Sequence, residues 1–231
     1  MNKTILITGA SRGIGYETAL RLASQNHTVI ATARSEDKLV ELANSADPGK
    51  IIPVKADLTL ETGIQKLADS VSKFESLDGL INNAGAVHRE SFMDTDLSVF
   101  QELMDINVYS IVRLIKALKH KLGNGSHIVN ISSMSGYQGS LKFGDLSAYG
   151  AAKAAVVGLS EVLSAEFTDD GISVNCLCLG AVQTEMFAEA FPGFEAPVSP
   201  QQMGTYIANF VLTAHQFYNG KVLPVALNDP G

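Results

Sequence analysis

Short β-branched apolar runs alternate with longer amphipathic segments along the whole chain, and this rhythm restricts the fold more than any other feature. The strand-like runs are Thr4 to Thr8, Thr28 to Thr32, Ile51 to Lys55, Gly79 to Asn82, His127 to Ile131, Ile172 to Cys178 and Lys221 to Ala226. Between them lie helical patterns at Gly13 to Ser24, Glu36 to Asn44, Leu60 to Phe74, Leu97 to Lys121, Ser147 to Phe167 and Pro200 to Phe217. Strand, helix, strand with short connections calls for right-handed crossovers and a parallel sheet. The strands are unbroken apolar runs, as burial on both faces requires. The pattern predicts an α/β fold with seven strands and helices on both faces. One irregular stretch, Phe187 to Pro200, is rich in Phe, Pro and Gly and predicts a mobile apolar loop.

At 231 residues the chain fits one domain, taken here as residues 1–231, and it can bury a sizeable core without disulfides or structural metals. Hydrophobic residues make up 46% and charged residues 18%, and a mean hydropathy of +0.14 suits a doubly covered sheet or an oligomer. A net charge of −7 argues against nucleic acid, which demands a basic footprint. Cys176 and Cys178, two apart on a predicted strand, share one face and cannot bond each other without distortion. They are expected to be buried reduced thiols, and no metal site is expected. The first strand-like run opens almost at Met1, so no exported leader is expected. Without an uninterrupted apolar stretch of spanning length, no membrane partner is expected, and the protein is placed in the cytoplasm.

The first strand runs into Gly9-Ala10-Ser11-Arg12-Gly13-Ile14-Gly15, three glycines at a strand-to-helix turn. Glycine lets backbone N–H groups approach a pyrophosphate closely, and the helix start beyond adds donors and a favourable dipole. The spacing departs from the usual G-x-G-x-x-G, so position after strand one carries the signal. At the end of strand two, where an acidic residue would accept from the ribose hydroxyl of NAD, stand Ala33 and Arg34. Arg12 should lie on the same side, and two guanidiniums suit the 2′-phosphate of NADP. NADP(H) is therefore the expected cofactor, with NAD as the alternative should Arg34 be only a solvated loop residue. Asp57, after strand three, is placed to cap the following helix, to contact the adenine, or both. Asn82-Asn83-Ala84-Gly85 follows strand four, where open α/β sheets bind ligands. Asparagines there can bridge neighbouring strands, and the Ala84-Gly85 pair leaves room for a ribose.

Ser147-Ala-Tyr149-Gly-Ala-Ala-Lys153 opens a long helical pattern, and the spacing puts Tyr149 and Lys153 on one helix face. A nearby ammonium favours the phenolate and would lower the tyrosine pKa toward useful acid–base chemistry. Read alone, Tyr-x-x-x-Lys is common on surface helices.

T-G-x-x-x-G-x-G at Thr8 to Gly15, N-N-A-G at Asn82 to Gly85 and Y-x-x-x-K at Tyr149 to Lys153 occur in this order. In order and spacing the chain, from Thr4 to about Val225, resembles the short type of the short-chain dehydrogenase/reductase family. The resemblance implies a Rossmann-like three-layer αβα sandwich with a seven-stranded parallel sheet, a nicotinamide cofactor, and hydride transfer between a carbonyl and a secondary alcohol. It implies that Tyr149 is the acid/base and that Ser133 hydrogen-bonds the substrate oxygen. Lys153 would bind the nicotinamide ribose and lower the tyrosine pKa. Asn107 would help hold a water in a proton relay, or serve only as a helix-kink residue. Ser132 should point the other way from Ser133. The implied cofactor-binding set is Gly9, Ser11, Arg12, Gly13, Ile14, Gly15, Arg34, Asp57, Leu58, Asn83, Ala84, Gly85, Tyr149, Lys153, Gly180, Val182 and Thr184, with Thr184 on the carboxamide. Alcohol oxidation, which needs the phenolate, should gain as pH rises.

The chain departs from the family pattern in three places. The stretch from Ser133 to Tyr149 is lengthened by Leu141-Lys-Phe-Gly-Asp-Leu146. Leu179-Gly180 stands where Pro-Gly is common after strand six. The segment over the substrate is compact, a loop or lid at about 184–200, where Phe187, Phe191 and Phe194 hint at an apolar or cyclic carbonyl substrate unless they simply pack on the core. The competing functions are an epimerase or dehydratase with bound cofactor and a non-catalytic NADP-binding sensor. Retention of Ser133, Asn107, Tyr149 and Lys153 speaks against the sensor. The helices at Leu97 to Lys121 and Ser147 to Phe167 resemble those the family uses to pair subunits, so a homodimer or homotetramer is expected.

Overall fold

A computed structural model describes residues 2–47 and 50–227. Seven strands form one sheet: β1 (Thr4–Thr8), β2 (Thr28–Ala33), β3 (Ile51–Lys55), β4 (Gly79–Asn82), β5 (His127–Ser133), β6 (Ser173–Leu179) and β7 (Val222–Val225). Their order is β3-β2-β1-β4-β5-β6-β7, and every pairing is parallel. The chain walks outward from β1 to β3, then crosses to β4 on the other side of β1. Both edge strands carry a proline, Pro53 and Pro224, residues that cannot extend a ladder and so blunt the edge.

The helices are α1 (Gly13–Ser24), α2 (Glu36–Asn44), α3 (Glu61–Val71), α4 (Leu97–Met104), α5 (Ser110–Leu118), α6 (Ser147–Glu166), α7 (Glu185–Ala190) and α8 (Pro200–Thr213). Side-chain alternation splits the core into two layers. Ile5, Ile7, Leu177 and Leu179 pack toward α1, α2 and α8 with Leu22, Leu39 and Ile207. Leu6, Cys176 and Cys178 pack on the opposite face with Leu67, Leu114 and Val156. The architecture is the three-layer αβα sandwich that the strand rhythm predicts, and both cysteines are buried free thiols on one face.

The elements differ from expectation in informative ways. The predicted helix from Leu97 to Lys121 is interrupted by a π turn at Asp105–Tyr109 between α4 and α5, and it closes in a 3-10 turn at Lys119–Lys121. β5 runs on to Ser133 because Ser132 and Ser133 pair with Cys178 and Leu179. The irregular stretch near Phe187 includes most of α7, and Val198 bridges back to Val182. Helix α8 starts where Ser199-Pro200-Gln201-Gln202 dictates. The Ser199 hydroxyl accepts from the Gln202 N–H, the Gln202 side-chain oxygen accepts from the Ser199 N–H, and Pro200 takes the first helical turn. Among the described residues no helix is long and apolar enough to cross a membrane.

Away from the strand carboxyl ends, His127 joins β5 to α8 and β6. Its Nδ1 lies 3.0 Å from the Val211 carbonyl and its Nε2 lies 2.9 Å from the Asn175 amide nitrogen. The first contact requires Nδ1–H and the second an unprotonated Nε2, so the network selects one neutral tautomer. Burial, opposed by the Val211 bond and aided by His215 and Lys3, lowers the pKa from 6.5 to about 4. The unfolded chain therefore takes a proton below about pH 6.5 that the folded one refuses until about pH 4. Stability from this residue is intact above the unfolded value and falls with pH across that window, by up to about 3 kcal/mol. Urea denaturation from pH 6.5 to 4 should show this slope, and His127→Gln should flatten it even if its absolute stability is lower.

Candidate functional site

The strand order reverses between β1 and β4, because the chain reaches β4 by a crossover from β3. This leaves a crevice at the carboxyl ends of β1 and β4, the place where open α/β sheets take ligands. The Thr8 hydroxyl oxygen accepts from the Asn83 N–H at 3.0 Å and the Ala84 N–H at 2.9 Å. The Asn83 amide donates to the carbonyls of Thr8 at 3.0 Å and Gly9 at 3.2 Å. Asn82, one residue earlier, donates to Asn130 at 2.8 Å, and Asn130 donates to Ser160 of α6 at 2.9 Å. The asparagines therefore bridge strands, as their sequence position suggests. At Gly9, φ is +69°, and a Cβ there would stand 2.8 Å from the Ala84 Cα. At Gly15 a Cβ would stand 2.4 Å from the Gly9 carbonyl oxygen. Gly15 is buried and does not line the cavity. Its bare backbone lets α1 pack against the turn, where any side chain would meet the Gly9 carbonyl and the Asn83 amide.

A cavity of about 860 Å³ opens over this crevice. Apart from Gly15, every residue expected at the site lines it: Ser11, Ile14, Leu58, Gly180 and Val182 do, as do the charged and catalytic candidates. At one end lies Arg34, close to Asp57. Burial works to raise the Asp57 pKa, but hydrogen bonds from Thr59 and the charge of Arg34 outweigh it and leave the carboxyl below its ordinary range. Asp57 accepts from the Thr59 N–H at 3.0 Å and the Thr59 hydroxyl at 2.7 Å. It caps no helix, because the residue before α3 is Leu60. Arg12 also lines the cavity, but its Nη1 pairs with Glu185 of α7 at 2.7 Å and lies 3.4 Å from Glu189. The two arginines grouped by the sequence thus have different surroundings.

At the other end, β5 and α6 bring Ser133, Tyr149 and Lys153 to one wall. Small residues on the inner face of α6, among them Ala148, Ala152 and Ser160, allow its close approach to the sheet. The Lys153 ammonium donates to the Ile131 carbonyl at 3.0 Å, and the Ser132 hydroxyl donates to the Lys153 carbonyl at 2.8 Å. The Ser132 hydroxyl thus turns to the backbone of α6 while the Ser133 side chain meets Tyr149, the alternation a strand imposes, and both residues border the cavity. Desolvation lowers Lys153 to about 8. Burial raises Tyr149, and its hydrogen bond to Ser133 offsets this in part. The Lys153 nitrogen is 5.8 Å from the Tyr149 ring centre, so the predicted lowering of the phenol by the ammonium gives way to burial in this arrangement.

Asn107 sits fully buried in the π turn. Its amide nitrogen donates to the carbonyls of Leu103 at 2.9 Å and Ala86 at 3.1 Å, and its oxygen accepts from the Ala86 N–H at 3.3 Å. The side chain braces the segment after β4 against the widened helix turn. Thr184 accepts from the Phe187 N–H at 3.1 Å, capping α7, and its methyl group faces Gly13. Sequence reasoning missed Thr8, Ile131 and Ser132 as supports. The first was signalled by the threonine before the glycine turn; the other two act through backbone and opposite-face contacts that carry no residue signature. It also missed Arg89, which lines the cavity beside Leu141 and Phe143 of the lengthened stretch.

A sequence model of the family described as short chain dehydrogenase matches residues 3–193. The chain is 35% identical over 189 residues to the NADPH-dependent 1-acyldihydroxyacetone phosphate reductase of Schizosaccharomyces pombe, covering 80% of this chain and 61% of that protein. The chain thus spans about three fifths of the length of that relative. It is 35% identical over 197 residues to the dehydrogenase/reductase SDR family member 6 of Rattus norvegicus, covering 84% of this chain and 77% of that protein. A solved dehydrogenase/reductase from Sinorhizobium meliloti 1021 superposes with a TM-score of 0.86 at 27% identity, over 99% of this chain and 95% of that one.

The brace formed by Asn107 is testable without any ligand. Asn107→Ala leaves the Leu103 and Ala86 carbonyls without their buried partner. Urea unfolding should show a loss of about 1–3 kcal/mol.

Proposed function

Because the chain belongs to the short chain dehydrogenase family, we propose that it is an oxidoreductase that interconverts a carbonyl and a secondary alcohol with NADP(H) preferred over NAD(H). The observation that carries this reading is that one cavity has Ser133, Tyr149 and Lys153 at one end and Gly9, Gly13 and Arg34 at the other. The residues present suit a dinucleotide. A Cβ on Gly85 would stand 2.7 Å from the Asn107 oxygen and 3.3 Å from the Lys153 nitrogen, so the bare backbone leaves room beside both. Gly9, Ser11, Arg12, Gly13 and Ile14 would hold the pyrophosphate side. Asp57, Leu58, Asn83, Ala84 and Gly85 would hold the adenosine and ribose, and Gly180, Val182 and Thr184 the nicotinamide end. When bound, the cofactor supplies or accepts the hydride.

The chain's own groups handle the proton and the oxygen. Tyr149 gives its phenolic proton to the carbonyl oxygen during reduction and takes it back during oxidation. Ser133 donates a hydrogen bond to the same oxygen, so charge developing there meets fixed donors. Lys153, buried and held by Ile131, places a positive charge near the ribose and the phenol. Asn107 acts as a positioning residue through its hold on Ala86. Phe187, Phe191 and Phe194 line the cavity and supply the apolar lid, which excludes water from the reacting carbonyl. A homodimer or homotetramer would use α4, the π turn, α5 and α6, where Leu97, Tyr109 and Val162 are exposed.

Arg34 supports the cofactor preference because it lines the cavity where β2 ends. The Schizosaccharomyces pombe relative is NADPH-dependent by name, which agrees with that preference. A sensor would need only the cofactor end, whereas here both ends of the cavity are furnished.

Two measurements test the assignment. Tyr149→Phe should lower turnover of a responsive ketone by about a hundredfold to ten-thousandfold. Its NADPH affinity, followed by fluorescence titration, should stay near that of the native chain; retained turnover overturns the role of Tyr149. Arg34→Ala should raise the KM for NADPH by about tenfold, as loss of a charge-assisted bond to the 2′-phosphate requires. The KM for NADH should barely move, and an unmodified chain that prefers NADH overturns the cofactor preference.

A further inference from the structure

Resting on the oxidoreductase reading, we propose that Arg89 is a specificity-determining residue and that the carbonyl substrate carries an apolar body ending in an oxyanion, a carboxylate or a phosphate. The cavity wall contains Leu141 and Phe143 from the lengthened stretch before α6, and Phe187, Phe191 and Phe194 from the segment around α7. Phe143 and Phe191 approach to 5.6 Å between ring centres, and Phe187 stacks on Phe191 at 5.1 Å. Such walls bind apolar or aromatic carbon. One cation breaks this apolar surface. The Arg89 guanidinium lies 5.0 Å over the Phe191 ring and lines the same cavity.

The remaining cationic side chains of the cavity have their own surroundings. Arg12 and Lys38 face Glu185 at 2.7 and 4.0 Å, Lys153 is bound to the Ile131 carbonyl, and Arg34 lies near Asp57. Arg89 is different. A guanidinium has five N–H donors in a planar fork. Here one donates to the Ala190 carbonyl over a long 3.4 Å, and the nearest carboxylate oxygen, on Asp145, stands at 3.8 Å, beyond hydrogen-bond distance. That ion pair is partly exposed, with Arg89 at 37% and Asp145 at 48%, so it holds the guanidinium only loosely. Glu90, Asp145 and Glu189 line a shallower recess that Arg89 also borders, and the Glu90 carboxylate there lies 3.0 Å from the His88 Nε2. Glu195 is the acidic residue of the α7 segment that, with Glu185, borders the main cavity. A planar fork with unused donors, resting on an aromatic face, matches a carboxylate or phosphate in bidentate contact. A purely structural role would make Arg89 a bolt between the α7 segment and the stretch containing Asp145, indifferent to substrate charge.

The two roles separate in a matched substrate series. Graded ω-benzoylalkanoates, each beside its methyl ester, and the corresponding ω-benzoylalkyl phosphates are assayed for NADPH consumption with kcat and KM resolved. In parallel, calorimetry measures binding of each acid to the protein loaded with NADP+. The native chain should prefer at least one oxyanion over its ester, in KM rather than kcat. Arg89→Met, which keeps the apolar stem, should shrink that preference about tenfold to a hundredfold, and Arg89→Lys should retain part of it. The larger Arg89-dependent preference, carboxylate or phosphate, identifies the anion. If Arg89→Met does not fold, loss of the preference in Arg89→Gln decides the same point. Equal losses on acid and ester, or no oxyanion preference in the native chain, overturn the proposal. Calorimetric binding of an acid that depends on Arg89 without any hydride transfer supports the anion subsite and overturns the oxidoreductase reading instead. Absence of both turnover and Arg89-dependent binding overturns the subsite.

Discussion

The site depends on how closely β1 and β4 approach at their carboxyl ends. Parallel strands leave a crevice where the chain's crossovers part, and here the parting falls between these two strands. The Thr8 hydroxyl oxygen, which accepts two successive N–H groups from Asn83 and Ala84, and the Asn83 amide, which reaches back to Thr8 and Gly9, lock the two ends together. Any side chain on Gly9 would collide with Ala84. The glycine turn and the Asn-Asn-Ala-Gly turn therefore form one mechanical unit, and the floor of the cavity is set before any ligand contributes.

The catalytic wall rests on a different solution to the same problem of buried polar groups. A lysine in a low-dielectric site is costly unless a partner receives it. The Ile131 carbonyl receives the Lys153 ammonium, while Ser132 anchors the backbone of α6 at the same residue. The Asn82, Asn130 and Ser160 bonds extend this anchoring across β4, β5 and α6. The Ile131, Ser132 and Asn130 contacts cross from the sheet to the helix, so Tyr149 inherits its place from the packing of α6 rather than from a contact with Lys153. That explains why burial dominates the phenol, and why the charged neighbour four residues along does not.

Local periodicity made most of the architecture legible. The strand runs, the start of α8 at Ser199 and Pro200, and the shared face of Cys176 and Cys178 all follow from interactions within a few residues or from the two-residue alternation of a strand. Elements governed by distant partners were not legible in the same way. The π turn at Asp105–Tyr109 accompanies Asn107 holding Ala86, a residue from the far side of β4. Arg12 meets Glu185 across 173 residues of sequence, so no reading of the glycine turn alone predicts that partner. Asp57 stands near a helix start, yet Thr59 captures its carboxylate first.

The sequence by itself determined the layered α/β architecture, the identity of the turn glycines, and the pairing of Tyr149 with Lys153 on one helix face. These are consequences of periodicity and spacing, which the chain carries locally. Tertiary structure decided that Gly15 serves packing rather than the cavity, that Arg12 faces α7, and that Arg89 joins an apolar wall made from the lengthened stretch before α6 and the segment around α7. The physical reason is that charge and burial depend on which surfaces meet across the fold, and residues far apart in the chain supply those surfaces.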